Sequence, residues 1–235
     1  AFEVLKAAEH VQIIVCDSGE LTVQQALRTS LEAASASRRE RIAVVGMSGA
    51  TPEELTGRAK ELNSERMVLV GPDALDSGGA VLPGMFAAAA VASAIAVTRD
   101  PAIPLNGTGL GGLGGVSQQY GDNEIDLLVQ GGVTPLEAVG GAASPIRGIT
   151  TRTTTGGAPD STWRELTTIL IVDDVIPAVR AALRSRFSRS KNTAQNRGAI
   201  RSQVIVELEN KLAAEIIDSY GDVAVSVDPE DPTVC

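Results

Sequence analysis

The chain has 235 residues, enough to bury one large core or two modest ones. Its hydrophobic content of 43% with a mean hydropathy of +0.10 marks a globular protein, and with aromatics at only 3% the packing falls to Ala, Val, Ile, Leu and Gly. A net charge of −9 argues against non-specific nucleic-acid binding as the main task, and the longest apolar run, Gly84 to Val97, is broken by Ser93 and short of the ~20 residues that span a bilayer.

From Val11 to Val97 strands and helices alternate. Val11–Cys16 is a continuous apolar run ending at Asp17-Ser18-Gly19, which reads as a buried strand and turn. Thr22 to Ala36 carries Val23, Ala26, Leu27, Leu31 and Ala34 at helical spacing, with Thr22 as its N-cap. Arg41–Gly46 is a second strand. Thr51-Pro52-Glu53-Glu54 opens a helix with a cap, a proline at the first position and acids in the first turn. That helix ends near Asn63, and Arg66–Val70 is a third strand. Pro83 to Val97 is a third helix, apolar on most sides and therefore buried. Three βα units in a row predict a parallel sheet with right-handed crossovers in three layers.

Beyond Arg99 the proline- and glycine-rich stretch Asp100 to Gly115 reads as a loop or link. Asn123 to Val129 is helix-like and leads into a Gly-Gly-Val strand edge, and Thr134 to Val139 is short. Strands are expected over Ile146–Thr154 and Leu166–Val172, then helices over 174–190 and 203–220, the last stopped by Gly221. The fold class expected is mixed α/β. Its divisions are a βα domain over 1–99, a Gly/Pro-rich connection over 100–145 and a C-terminal α/β region over 146–235.

No catalytic set emerges. The run Gly107-Thr108-Gly109-Leu110-Gly111-Gly112 lacks the lysine of a phosphate loop, follows Pro101-Ala102-Ile103-Pro104 rather than a strand, and opens no helix. Gly46-Met47-Ser48-Gly49 lies at a strand–helix junction, but Ala50 stands where a nucleophile elbow needs glycine. His10 is the only histidine, so no triad order and no zinc set is available. Asp173-Asp174 reads as a helix start, with Pro177 tolerated in the first turn, rather than a magnesium site. Cys16 and Cys235 lie far apart, which argues against a disulfide and for a reducing site of assembly. We therefore expect no catalytic, cofactor-binding or metal residues.

Charge is uneven along the chain. Arg180, Arg184, Arg186, Arg189, Lys191, Arg197 and Arg201 fall in one segment without an acid, while the residues from Ser219 onward hold four acids and no base. Such a basic face is either a partner surface or a solvated helix.

The order of elements in the second half carries a resemblance. Gly148-Ile149-Thr150-Thr151-Arg152-Thr153-Thr154, the turn Gly156-Gly157-Ala158-Pro159-Asp160, Trp163-Arg164 and a long helix with a basic end follow one another. Before them come Gly71-Pro72 after a strand, Pro101-Ala102-Ile103-Pro104-Leu105-Asn106-Gly107 and Asn123-Glu124-Ile125-Asp126. Over roughly residues 66 to 227 this set resembles the contractile tail sheath proteins of phages and R-type bacteriocins. The resemblance implies a structural, non-enzymatic subunit of a virion tail, assembled in the bacterial cytoplasm without nucleic-acid or membrane partners. It implies self-association as hexameric rings stacked in a helical sheath around a tail tube protein, contacts with baseplate and tail terminator proteins, and contraction that drives the tube through a cell envelope. It makes the seven basic residues an interface. Sheath proteins also swap terminal arms; this chain opens at Ala1-Phe2-Glu3 and stops at Val234-Cys235, so it reads as the inner part of a longer protein. The alternative from another class is an α/β enzyme binding a nucleotide or small metabolite at Asp17-Ser18-Gly19 and Gly46-Met47-Ser48, the carboxyl ends of two strands.

Overall fold

A computed structural model describes residues 2–231, 233 and 235 in two compact units. The first runs to Arg99 and resumes over Ile103–Ile169; the second comprises Asp100–Ala102 and the chain from Leu170 onward.

In the first unit, helix α1 (Phe2–Ala7) precedes strand β1 (Ile13–Val15), helix α2 (Leu21–Ala36) and strand β2 (Ile42–Gly46). Helix α3 (Pro52–Leu62), strand β3 (Met67–Gly71), the short strand β4 (Ala74–Leu75) and helix α4 (Gly84–Val97) follow. Then come β5 (Gly115–Val116), helix α5 (Asp122–Gln130), β6 (Val133–Val139) and β7 (Ala142–Pro145). The main sheet has the order β1-β2-β3-β6-β7, parallel up to β6 and closed by the antiparallel β6–β7 hairpin. The fold is thus mixed α/β, and its βα units form as the apolar periodicity predicts.

Alternation along the strands sorts the core into two faces. Ala43, Val45, Met67, Leu69 and Val133 pack with Leu27 and Leu31 of α2, Leu55, Ala59 and Leu62 of α3 and Leu128 of α5. The opposite face meets α4 through Ala87, Ala88, Val91 and Ile95, all buried. Alanines let this helix lie close to the strands. It is not buried all round, however: Phe86 and Val97 are exposed, as are Ala89, Ser93 and Ala96. Strand β1, expected as buried, is an edge and only partly covered, with Val15 at its exposed end. Helix α2 begins at Leu21 with Glu20 as N-cap, so Thr22 is not the cap.

Larger corrections fall in the second half. Ile146–Thr154 is not a strand. Ile149 makes one isolated bridge to Glu165, and only Thr154–Thr155 pairs as β8, with β9 (Ala158–Pro159), around Gly156-Gly157. Threonine hydroxyls complete the backbone bonding that a ladder would have supplied. Thr134 Oγ1 accepts from Ile149 N and donates to Ile149 O, each at 2.8 Å, while Thr151 Oγ1 donates to Ser64 O at 3.0 Å and Thr151 N to Met67 O at 2.8 Å. Leu166–Val172 is not a strand either. It is the opening of helix α6 (Leu166–Phe187), so the second of the two expected strands does not form. Its β-branched run suits a strand, but Leu166 and Ile169 lie on one helical face and are both buried, and burial outweighs propensity differences of a few tenths of a kcal/mol. Asp173-Asp174 and Pro177 are therefore interior to a helix, not at its start. Helix α7 (Ala194–Ala213) begins well before the expected Gln203, with Thr193 Oγ1 accepting from Asn196 N at 3.2 Å, and ends before Tyr220.

Candidate assembly interface

The strand ends named for a small-molecule ligand are filled by the protein's own atoms. Gln24 Nε2, buried, donates to Ser18 O at 3.1 Å and to Gly46 O at 3.0 Å. Arg58 Nη1 donates to Gly19 O at 2.6 Å and to Gln24 Oε1 at 2.9 Å. At Gly46 the start of α4 closes in so tightly that a Cβ would lie 2.2 Å from Gly84 O. Ser48 Oγ accepts from Gly84 N at 2.8 Å, and Asp73 Oδ2 accepts from Gly49 N at 2.7 Å. These bonds tie the β2–α3 turn, the stretch after β3 and the helix α4 into one knot.

Asp73 is the residue here that sequence reasoning missed; only its position, two residues after the β3 strand, marked it. Burial pushes its carboxyl above the usual carboxylate range, with the Gly49 amide pulling the other way. Its Oδ1 is buried without a partner among the described residues, as is the hydroxyl of Tyr120. Burial, then the charges of Glu124 and Asp73, push the Tyr120 phenol up to about 12, so it stays neutral. Among the described residues no group of three or more His, Cys, Asp or Glu side chains is placed to hold a metal ion.

The basic segment lies in the second unit. Two side-chain contacts set α6 and the facing helix antiparallel: Asp174 with Lys211 and, twelve residues along α6, Arg186 with Gln203. The two helices form a hairpin whose turn, residues 188–193, sits between the seven bases. Lys191 and Arg189 are in that turn, Arg180, Arg184 and Arg186 on the last turns of α6, and Arg197 and Arg201 on the first turns of α7. The segment is thus brought together at one end of one hairpin.

Internal bonds occupy part of it. Arg186 meets Gln203, Arg197 Nη1 donates to Asn192 Oδ1 at 2.9 Å, Arg201 Nε donates to Val223 O at 2.7 Å, and Arg180 is likewise engaged. Arg184, Arg189 and Lys191 are exposed, and their charged groups meet no partner among the described residues. A second property has no sequence signal of its own. Not one apolar side chain of this unit is buried among the described residues, and Ile176 and Val206 are 47% and 50% exposed.

The first unit is thus a parallel sheet closed by an antiparallel β-hairpin, and the second carries a helical hairpin. The profile of the phage tail sheath protein central domain matches residues 2–151. The chain belongs to the phage tail sheath protein family. The tail sheath protein of Bacillus phage SP01 is 31% identical over 220 residues, covering 91% of this chain and 38% of that protein. Among solved structures, the sheath tail protein of Desulfitobacterium hafniense superposes with a TM-score of 0.74 at 17% identity over 91% of this chain and 48% of that one. The Listeria innocua sheath tail protein gives 0.72 at 15% identity, again over 91% and 48%. The helical sheath of the anti-feeding prophage in its contracted state gives 0.65 at 13% identity, over 90% of this chain and 57% of that one. The chain therefore spans well under two thirds of the relatives it matches.

Proposed function

We propose that the chain is the structural subunit of a contractile tail sheath. In this reading, copies assemble as stacked rings around a tail tube, held in the tail of a phage or phage-like particle, and contraction drives the tube through a cell envelope. The observation that carries it is the central-domain match over residues 2–151. A fold shared with a sheath in its contracted state supports it. Tube, baseplate and tail terminator proteins are the other partners, with assembly in the host cytoplasm. The seven basic residues form a partner interface for an acidic surface within that assembly. No catalytic step is assigned, since the strand ends a ligand would occupy hold Gln24, Arg58, Asp73 and the Gly84 backbone instead.

Negative-stain microscopy of the full-length protein tests the reading. Rings or helical tubes are expected. Compact small oligomers, together with stoichiometric micromolar binding of a nucleotide at the Gly46–Ser48 turn, would replace it with the ligand-binding alternative.

A further inference from the structure

We propose that the α6–α7 hairpin carries a contact between copies of this chain, in which the basic tip of one copy docks on the acidic root of the next. The proposal rests on the self-association in the reading above and names the surface and its partner.

The antiparallel register sorts charge by end. Between Arg180 and Arg201 lie seven bases and no acid, and this stretch is the tip. At the other end stand Asp173 and Asp174 on α6, Glu207 and Glu209 on α7, and Glu215 and Asp218 just beyond it, against Lys211 alone. The hairpin is therefore a rod with opposite charge at its two ends. Internal bonds take up part of this charge: Asp173 and Arg180 are engaged, and Arg201 holds Val223 O beside Asp222. Asp174 takes Lys211, Glu207 takes Gln203 and Glu209 takes Tyr220. The charged groups of Arg184, Arg189 and Lys191 at the tip, and of Glu215 and Asp218 at the root, are exposed and meet no partner among the described residues.

The occupant follows from the same molecule. A second copy presents the opposite sign at its other end, while tip against tip or root against root is repelled. The hairpin also needs cover: beyond Leu166 and Ile169 at the start of α6 it buries no apolar side chain among the described residues, and with Ile176 and Val206 about half exposed it gains from a like flank laid beside it. Tip-to-root contact joins two different patches, so it is heterologous and propagates from copy to copy instead of stopping at a pair.

Sedimentation of the full-length chain at low and moderate salt tests this with two variants, one at each end. Reversing the tip, R184E with R189E and K191E, should weaken association by about tenfold, the effect of a few exposed ion pairs. Reversing the root, E215K with D218K, should do the same. An equimolar mixture of the two variants should recover parental association, because each then offers the end the other lacks. Circular dichroism checks folding, and the neutral sets R184Q/R189Q/K191Q and E215Q/D218N, which should flatten the salt dependence, serve where a reversal unfolds the chain. Parental association and salt dependence in either single-end variant would overturn the proposal, and so would a mixture that fails to recover. A tip variant that keeps self-association but loses its hold on a tail tube would make the tube the partner, ending this proposal and leaving the sheath reading intact. A parental chain that never associates would instead remove the sheath reading itself.

Discussion

At the scale of single residues, the contact between Gly46 and Gly84 is the tightest constraint on the first unit. A methyl at Gly46 would sit 2.2 Å from Gly84 O and 2.4 Å from its carbonyl carbon, and backbone cannot swing aside as a side chain would. Gly46→Ala should therefore lower stability by at least ~1–3 kcal/mol, read as a lower urea midpoint with an unchanged slope. Beside it, Asp73 carries a pH signature. Its pKa is raised in the fold by burial above the ordinary 3.8, so the folded state holds this proton more tightly than the unfolded chain does. That contribution to stability is fully present below the ordinary value and is lost as pH rises through the raised one. Asp73→Asn keeps an acceptor for Gly49 N and has no proton to lose. The stability of the parent relative to this variant should fall as pH rises above 3.8. A difference that stays flat with pH would mean that the buried Oδ1 is solvated.

At the scale of elements, the clearest local signal is also the one the structure reproduces atom for atom. Thr51 Oγ1 accepts from Glu54 N at 3.3 Å and Glu54 Oε2 accepts from Thr51 N at 2.9 Å, a reciprocal capping box with Pro52 at the first helical position. Thr51→Ala should cost ~1 kcal/mol in thermal or chemical unfolding. Such signals were legible because they are local: a cap, a proline and an apolar run of strand length at β2 and β3. The failures have one shared cause, which is that the deciding partner is distant in sequence. The β-branched run from Thr167 to Val172 favours a strand until the burial of Leu166 and Ile169 on one helical face is known. The threonines of 150–151 look like the polar side of a strand, but spend their hydroxyls on Trp163 O and Ser64 O. The hairpin turn Gly140-Gly141, both at positive φ, was readable in principle and joins the sheet's last two strands. The basic segment was legible as a charge run; which of its members meet internal partners was not, because Gln203 and Val223 lie across a turn or beyond a helix and Asn192 within the turn itself. Pro177 offers a test inside α6, where it removes one helical hydrogen bond. Pro177→Ala should slow amide hydrogen exchange over the turns on either side, and unchanged exchange would show that the helix already bends to accommodate the ring.

At the scale of the whole chain, the two units differ in what holds them. The first owns a buried core on both faces of its sheet, with Val44, Val45, Val68 and Leu69 fully covered. The second has long helices and no buried apolar side chain among the described residues. Isolated helices are marginal in water and take most of their stability from packing, so in the proposed assembly α7 gains from whatever is laid against it. In the unassembled subunit its amides should exchange through low-energy local openings, while those of β2 and β3 should exchange only through openings that approach global unfolding. Assembly should then slow exchange along α7 by at least about tenfold, a gain of ~1.4 kcal/mol in opening free energy, and leave β2 and β3 nearly unchanged. Hydrogen exchange with mass spectrometry on free and assembled protein measures both. Amides of α7 as slow as those of β3 in the free subunit would show that the hairpin is stable alone, and would remove the energetic reason for placing it at an interface.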